Sequence, residues 1–213
     1  MKTQMTKLSL IALTLTMILA TSASAVVLLD QSGYDASIPG FLNAVAGGPP
    51  FGGTSYSVND VTVGGTGWVI TDISTYYNAT GFFESVSDGY LYISPKTGDL
   101  PTEDPTNDIL VPLTVTYISD SNYQVTASGL NIELSPGEYW IGVTPIAGSL
   151  YDGIHLSATT LIGAATPSFD PYGMPAMWTN WNPGVDAAML INGLDDVVAT
   201  DDVTLDTVKS LYR

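Results

Sequence analysis

Cysteine is absent from this chain of 213 residues, and histidine occurs once, at His155. The absence of thiols excludes disulfide bonds, thiolate metal sites and cysteine nucleophiles. A zinc site made of several imidazoles is excluded as well, and a Ser-His-Asp triad would have to use His155. No Gly-x-Ser-x-Gly motif lies near it. We therefore predict that His155 is a strand residue with an ordinary hydrogen bond.

Basic residues are also scarce, because five Lys and Arg face 21 Asp and Glu, for a net charge of −16. Neutralising phosphates takes several clustered Lys or Arg, and anionic lipid headgroups would repel this chain. Nucleic acid and membrane surfaces are therefore set aside as partners. Such acidity favours solubility and disfavours random association.

The N-terminus carries the three parts of a secretory signal peptide. Lys2 and Lys7 precede an apolar run, Leu8–Ala20, and the small residues Ala23-Ser24-Ala25 follow it. We predict cleavage after Ala25. The apolar run is shorter than the roughly 20 residues that span a bilayer as a helix. The mature protein is thus expected to be secreted or to lie at the cell surface, without a membrane span.

Residues 26–195 read as one all-β domain, because β-branched and aromatic runs alternate with Gly, Pro, Asn and Asp. About ten short strands predict a single antiparallel β-sandwich of jelly-roll type, with a sheet closed on itself as the alternative. The predicted strands are Val26–Asp30, Ser55–Val63, Gly67–Tyr77, Tyr90–Ser94, Ile109–Ile118, Asn122–Ser128, Leu130–Leu134, Glu138–Thr144, Gly153–Ala158 and Ala187–Asn192.

Two of these strands alternate cleanly and each is predicted to have one core face. Those faces carry Leu113, Val115 and Tyr117 in the first strand, and Tyr139, Ile141 and Val143 in the second. Pro136-Gly137 precedes the second strand and predicts a tight turn with a hairpin. Trp68 and Trp140 lie within strand patterns and are expected in the core.

Residues 196–213 are predicted to be a polar C-terminal tail. Leu205, Val208 and Leu211 would line one face of a short helix there. This segment is interpreted either as a frayed terminus or as a sorting or docking tail.

The order of features resembles secreted bacterial β-sandwich domains of the PEP-CTERM or choice-of-anchor type. The resemblance covers most of residues 26–195 and lacks the expected terminal anchor, an apolar helix followed by arginines. It implies an extracellular or surface sandwich with no assigned chemistry. The matching segments are Leu29-Asp30-Gln31, Gly67-Trp68-Val69-Ile70-Thr71-Asp72-Ile73, Leu134-Ser135-Pro136-Gly137-Glu138-Tyr139-Trp140-Ile141 and Asp186-Ala187-Ala188-Met189-Leu190-Ile191-Asn192-Gly193.

Carboxylates offer two further chemical hypotheses. A glycosidase needs two carboxylates facing one another across a cleft, and Glu84, Glu133 and Glu138 qualify by residue type alone. Oxygen ligands spaced along a loop suit calcium, which makes an acidic loop a candidate metal site, with a solvated loop as the alternative. The residues of that loop are Asp99, Glu103, Asp104 and Asp108.

A loop rich in Gly, Pro and Asn carries large aromatic side chains. Trp178, Trp181 and Tyr172 would stack on sugar rings while Asn180 binds hydroxyls. The alternative is that one or both tryptophans plug an end of the domain.

These observations rank three functions. The first is an exported, non-enzymatic extracellular or cell-surface protein with a structural or adhesive role. The second is a carbohydrate-binding module that uses the loop aromatics, stabilised by calcium, with polysaccharide or other cell-surface components as partners. The third is a secreted hydrolase, which requires His155 or a glutamate in a pocket beside a second catalytic group.

Overall fold

The computed structural model describes residues 25–38, 40–46, 53–79, 81–102, 109–149, 152–161, 168–170, 177–179 and 184–195. The predicted signal peptide, apart from Ala25, and the predicted tail at residues 196–213 lie outside the described residues.

The described residues form an all-β protein with one short 3-10 helix, at Gly81–Ser85, and no α-helix. The strands are β1 (Val26–Gln31), β2 (Phe41–Leu42), β3 (Ala44–Ala46), β4 (Gly53–Ser57), β5 (Asn59–Val63), β6 (Trp68–Ala79), β7 (Asp88–Pro95), β8 (Ile109–Ser119), β9 (Asn122–Leu134), β10 (Gly137–Ala147), β11 (Gly153–His155), β12 (Ser168–Asp170), β13 (Met177–Thr179) and β14 (Met189–Asp195).

All of these strands belong to one hydrogen-bonded sheet. Its main path runs β1-β14-β6-β9-β8-β7-β10-β3-β4-β12-β13, while β2, β5 and β11 attach beside the path. Neighbours are antiparallel except that β3 runs parallel to β10. The prediction of a purely antiparallel arrangement is therefore wrong, because the 11-residue β10 reaches β3 beyond its antiparallel partners β5 and β7.

The described residues contain fourteen strands where about ten were predicted. The predicted strand Ser55–Val63 is two strands, β4 and β5, which pair with different neighbours. The reverse holds for Asn122–Ser128 and Leu130–Leu134, which form the single strand β9. Short strands such as β12 and β13 lie in a segment that the sequence predicted to be a loop.

Strand β8 changes partner along its length. Ile109–Leu110 and the two residues after them pair with β7, and the stretch from Leu113 to Ser119 pairs with β9. Val111 and Leu113 are buried, whereas Ile109, Leu110 and every residue from Thr116 to Ser119 are exposed. The predicted core face of β8 is thus confirmed for its first part, and Tyr117 lies outside it.

The hairpin predicted at Pro136-Gly137 is wrong. Strand β9 pairs with β6 and β8, whereas β10 pairs with β5, β7 and β3. The turn residues therefore connect two strands that are not neighbours in the sheet. Alternation fixes which side chains share a face, but it does not choose the neighbouring strand.

One large apolar core includes side chains from distant parts of the path. It contains Ile73 of β6, Val125 of β9, Leu91 of β7, Ile141 of β10 and Ile191 of β14, all buried. Burial of each such side chain is worth about 1.5–3 kcal/mol. This core supplies stability that disulfide bonds cannot provide in a chain without cysteine.

Candidate functional site

The single imidazole, His155, lies on β11 with no exposed surface and with both ring nitrogens engaged. Its Nε2 lies 3.0 Å from the backbone oxygen of Ala188. A carbonyl oxygen only accepts, so Nε2 carries the proton and Nδ1 is an acceptor. Ser57 Oγ lies 2.8 Å from Nδ1 and donates to it, and Asn43 Nδ2 lies 3.2 Å away. Burial lowers the pKa of His155 to about 4, which keeps the ring neutral.

Asn43 extends this network to other strands. Its Nδ2 donates to Tyr77 Oη at 2.8 Å and to the backbone oxygen of Val143 at 2.9 Å. Its Oδ1 accepts from the Ser57 backbone N–H at 3.1 Å and from Thr144 Oγ1 at 2.7 Å. Tyr77 also donates to Val143 O, at 3.1 Å, and burial raises the pKa of its hydroxyl. The network joins β4, β6, β10 and β11.

A second buried polar cluster surrounds Asn59 on β5. Its side-chain amide donates to the backbone oxygen of Ala187 at 2.7 Å and accepts from the backbone N–H of Ala187 at 3.0 Å. This pair of bonds imitates one rung of a β-ladder. Gln31 Nε2 donates to Asp186 Oδ2 at 2.7 Å in the same cluster. The hydrogen bonds of both clusters pair most of their polar atoms inside the protein, as is usual for buried polar groups.

The chemistry open to the Ser57–His155 pair follows from its burial. The spacing of 2.8 Å between Oγ and Nδ1 suits proton transfer from a nucleophilic serine. However, neither side chain has exposed surface, and Nε2 is bonded to a main-chain carbonyl. A substrate cannot reach the serine in this conformation, so the pair acts as a structural contact between β4 and β11.

A different arrangement, the Lys96 cluster, consists of Lys96, Asp60 and Trp140. Asp60 follows Asn59 on β5, so the Lys96 cluster lies on the face of β5 opposite to Asn59. Asp60 and Trp140 are directly opposite one another in the β5–β10 register, so their side chains share a face. Lys96 Nζ lies 2.7 Å from Asp60 Oδ2 and 5.0 Å from the centre of the Trp140 ring. The Lys96 side chain is 21% exposed and that of Asp60 is 13% exposed.

Two atoms of the Lys96 cluster, Asp60 Oδ1 and Trp140 Nε1, are buried and have no hydrogen-bond partner among the described residues. One is a hydrogen-bond acceptor and the other a donor. Burial alone would lower the pKa of the Lys96 ammonium. The hydrogen bond from Lys96 to Asp60 and the negative charges of Asp60, Glu138 and Asp99 raise it by more, so the pKa of Lys96 lies above its ordinary value. Lys96 is therefore a stable cation over the indole ring.

Aromatic side chains surround the Lys96 cluster. Trp140 packs in one apolar cluster with Tyr56, Val58, Tyr92 and Trp178. The rings of Tyr92 and Trp178 lie 5.2 Å apart, and Trp178 is 8% exposed. Trp178 therefore packs within this aromatic cluster.

The other residues predicted for sugar or metal binding are mostly outside the described part of the chain. Tyr172, Asn180 and Trp181 lie there, as do three of the four calcium candidates, Glu103, Asp104 and Asp108. Asp99 is described and is exposed in a bend after β7. Among the described residues, no group of three or more His, Cys, Asp or Glu side chains is placed to hold a metal ion.

Comparison with known proteins finds no match. No protein-family model fits the chain, and no curated protein and no solved structure resembles it significantly. The resemblance to secreted bacterial sandwich domains therefore stays a prediction. Within the described ranges, no helix has the length and apolar character needed to cross a membrane.

The three glutamates that qualify by type for glycoside hydrolysis lie on different elements. Glu84 is in the 3-10 helix and accepts a hydrogen bond from Tyr123 Oη at 3.3 Å. Glu133 is on β9 opposite Val69, and Glu138 is on β10 opposite Thr62. All three are exposed to solvent.

Sequence reasoning did not find the Lys96 cluster, although a signal existed. Lys96 is the only basic residue in the predicted domain of residues 26–195. A lone cation among many carboxylates is a good candidate for a specific ion pair. Its partner Asp60 lies 36 residues earlier in the chain and could not be selected from spacing.

Proposed function

We propose that this chain is an exported, non-enzymatic extracellular or cell-surface protein with a structural or adhesive role. In this proposal its sheet folds over into two facing layers, as a jelly-roll-like β-sandwich. Packing between the two layers would stabilise the protein, and its surface would bind other cell-surface components.

Contacts between distant parts of the sheet support the two-layer arrangement. Tyr77 of β6 donates through its hydroxyl to the backbone of Val143 of β10 at 3.1 Å, although β6 and β10 are not paired strands. The apolar core likewise mixes residues of β6, β9 and β14 with residues of β5, β7 and β10. Two facing layers account for both observations.

The observation that carries the non-enzymatic assignment is the state of His155. The only imidazole of the chain, which a Ser-His-Asp hydrolase would need, is fully buried and donates to the Ala188 backbone. Its ring also stacks on Tyr77, with ring centres 4.9 Å apart. These contacts fix the histidine as part of the fold.

The start of β1 supports export. Cleavage after Ala25 would leave Val26 as the new N-terminus, and Val26 is the first residue of β1 and is 47% exposed. The amino group that cleavage creates would therefore lie in solvent, where its charge costs no desolvation. Cleavage after Ala25 would leave β1 whole, because that strand begins at Val26.

Localisation and attachment of the producing cells test this proposal. A strain lacking the chain is complemented with the full chain or with a chain lacking residues 2–25. We expect the full chain to label intact cells with antibody, to begin at Val26 by mass, and to restore attachment to a surface. Retention of the full chain inside the cell, or normal attachment without it, would contradict the proposal.

A second candidate function is carbohydrate binding, and the Lys96 cluster favours it. Sugar sites combine an aromatic face with groups that donate to and accept from hydroxyls. Lys96 and Asp60, whose side chains are 21% and 13% exposed, supply a donor and an acceptor beside the aromatic cluster that contains Trp178. The predicted site around Trp178, with Tyr172, Asn180 and Trp181, would then extend from this face, and the acidic loop that includes Asp99 would hold calcium.

Binding to a glycan array, with and without calcium, tests the second function. The variants are Lys96→Ala and Asp60→Asn, and Glu133→Gln is the control because it removes an exposed carboxylate elsewhere. Sugar binding at the cluster predicts loss in the first two variants and no change in the control. Binding that survives all three substitutions, or a blank array for folded protein, would rule out this site for the glycans tested.

A further inference from the structure

In the described part of the chain, the second stretch of β8 has a strand edge that no neighbouring strand covers. Its residues up to Pro112 pair with β7, and from Leu113 onward they pair with β9 on one side. On the other side, Thr114 to Ser119 pair with no strand among the described residues. Alternate residues of an edge strand direct backbone N–H and C=O groups outward, where they can bond to another strand.

This edge carries no charged side chain. No charged residue occurs in β8, although the whole chain has a net charge of −16. Tyr117 is 57% exposed and Ile118 is 42% exposed. Natural proteins usually protect an edge with Lys, Pro or a bulge. Here Pro112 precedes the free stretch, and the bulge lies near its end, between Tyr117 and Ser119.

We propose that this stretch of β8 pairs with the same stretch of a second copy of the chain, antiparallel and about a twofold axis. The lack of charge on β8 is the reason for choosing a second copy of the chain as the partner of this edge. Two copies repel one another wherever carboxylates meet, and β8 lets them approach without bringing charges together. Strand β1, at one end of the main path, has the exposed carboxylate of Asp30, which a symmetric pairing would bring close to the Asp30 of the second copy.

The size of the contact sets the expected strength. Six residues of strand with two exposed apolar side chains bury much less than the roughly 1,200 Å² of a stable interface. The dimer is therefore weak and depends on concentration. Because the remaining surface is acidic, salt strengthens the dimer by screening repulsion between the copies. This inference does not depend on the proposed function, although pairing between copies would suit an adhesive surface protein.

Sedimentation velocity of the exported protein, from 10 µM to 1 mM and at low and high salt, tests the pairing. We expect a dimer whose Kd falls as salt rises. Thr116→Lys should raise that Kd at least tenfold, because it places two cations opposite one another across the axis. Thr62→Lys is the control, since Thr62 is exposed on β5 and the substitution changes the net charge equally. The control should leave the Kd unchanged.

Three results would overturn the proposal. They are a protein that stays monomeric at 1 mM in high salt, a dimer that Thr116→Lys leaves intact, and a dimer that both lysine variants weaken equally. If Thr116→Lys fails to fold, amide hydrogen exchange of the wild-type protein decides. Slower amide exchange at Thr114 to Ile118 at high protein concentration supports the pairing. Exchange rates that do not depend on protein concentration, or that fall only in another strand, contradict it.

Discussion

Ser57 Oγ lies 2.8 Å from Nδ1 of His155, and 98 residues of chain separate the two. The contact joins β4 to β11, and the same imidazole holds the Ala188 backbone through Nε2 at 3.0 Å. A neutral ring is required, because Nδ1 accepts from Ser57 while Nε2 donates. The protonation state of one histidine is thus coupled to contacts among several strands.

The first prediction concerns the stability of the protein in acid. The pKa of His155 is lowered by burial from 6.5 to about 4. Between these values the unfolded chain binds a proton that the folded chain does not, so the free energy of unfolding falls as the pH drops below about 6.5. We expect it to decrease by about 1 kcal/mol between pH 7 and pH 5.5, and by roughly 3 kcal/mol in total near pH 4.

Urea unfolding of the wild-type protein and of His155→Gln measures this contribution. Carboxylates titrate in both proteins, so the difference between their pH profiles isolates the histidine. The variant should be less stable at pH 7 and should lose less stability towards pH 5.5. Equal slopes in the two proteins would show that His155 does not control the acid response.

The second prediction concerns the hydroxyl of Ser57. Ser57→Ala removes the donor to Nδ1 inside a site with no exposed surface. A buried acceptor that loses its donor costs about 1–3 kcal/mol, and urea unfolding should show that loss. Ser37→Ala is the matched control, because its hydroxyl bonds to Asp35 in an exposed position. An equal effect of the two substitutions would mean that the Ser57 contact contributes nothing specific.

Some of this structure could be predicted from the sequence and some could not. Strand alternation correctly predicted an all-β chain, and Trp68 and Trp140 are buried as expected. The same alternation failed for β10, which is buried on both faces, because apolar contacts on the second face come from strands far away in the chain. His155 is a strand residue with an ordinary hydrogen bond, as predicted, but its partners Asn43 and Ser57 are set by tertiary structure alone.

The third prediction concerns the ion pair between Lys96 and Asp60. Lys96→Met leaves a mostly buried carboxylate whose Oδ2 has lost the ammonium group and whose Oδ1 has no partner within the described ranges. Lys96→Met should therefore be less stable than the double variant Lys96→Met/Asp60→Asn, in which no charge is left over. A double-mutant cycle by urea unfolding should give a coupling energy of about 1 kcal/mol. A coupling energy of zero would show that the pair is only a surface contact.

The fourth prediction concerns the close approach of β10 to the segment that links β4 and β5. A Cβ atom on Gly142 would overlap the backbone oxygen of Ser57 and lie 2.8 Å from Val58 Cγ1. The backbone oxygen cannot rotate away, and Ser57 is held through its N–H by Asn43. Gly142→Ala should therefore cost about 1–3 kcal/mol, as overpacking of a filled interior does.

Gly98→Ala is the control for this effect, because a Cβ atom on exposed Gly98 meets nothing within 4 Å. Its stability should match the wild type or slightly exceed it, since alanine restricts the unfolded chain. Thermal unfolding of the two variants separates the explanations. If Gly142→Ala is as stable as Gly98→Ala, then β10 does not pack against Ser57 and Val58 as closely as the geometry requires, and the placement of Ser57 beside His155 would be in question as well.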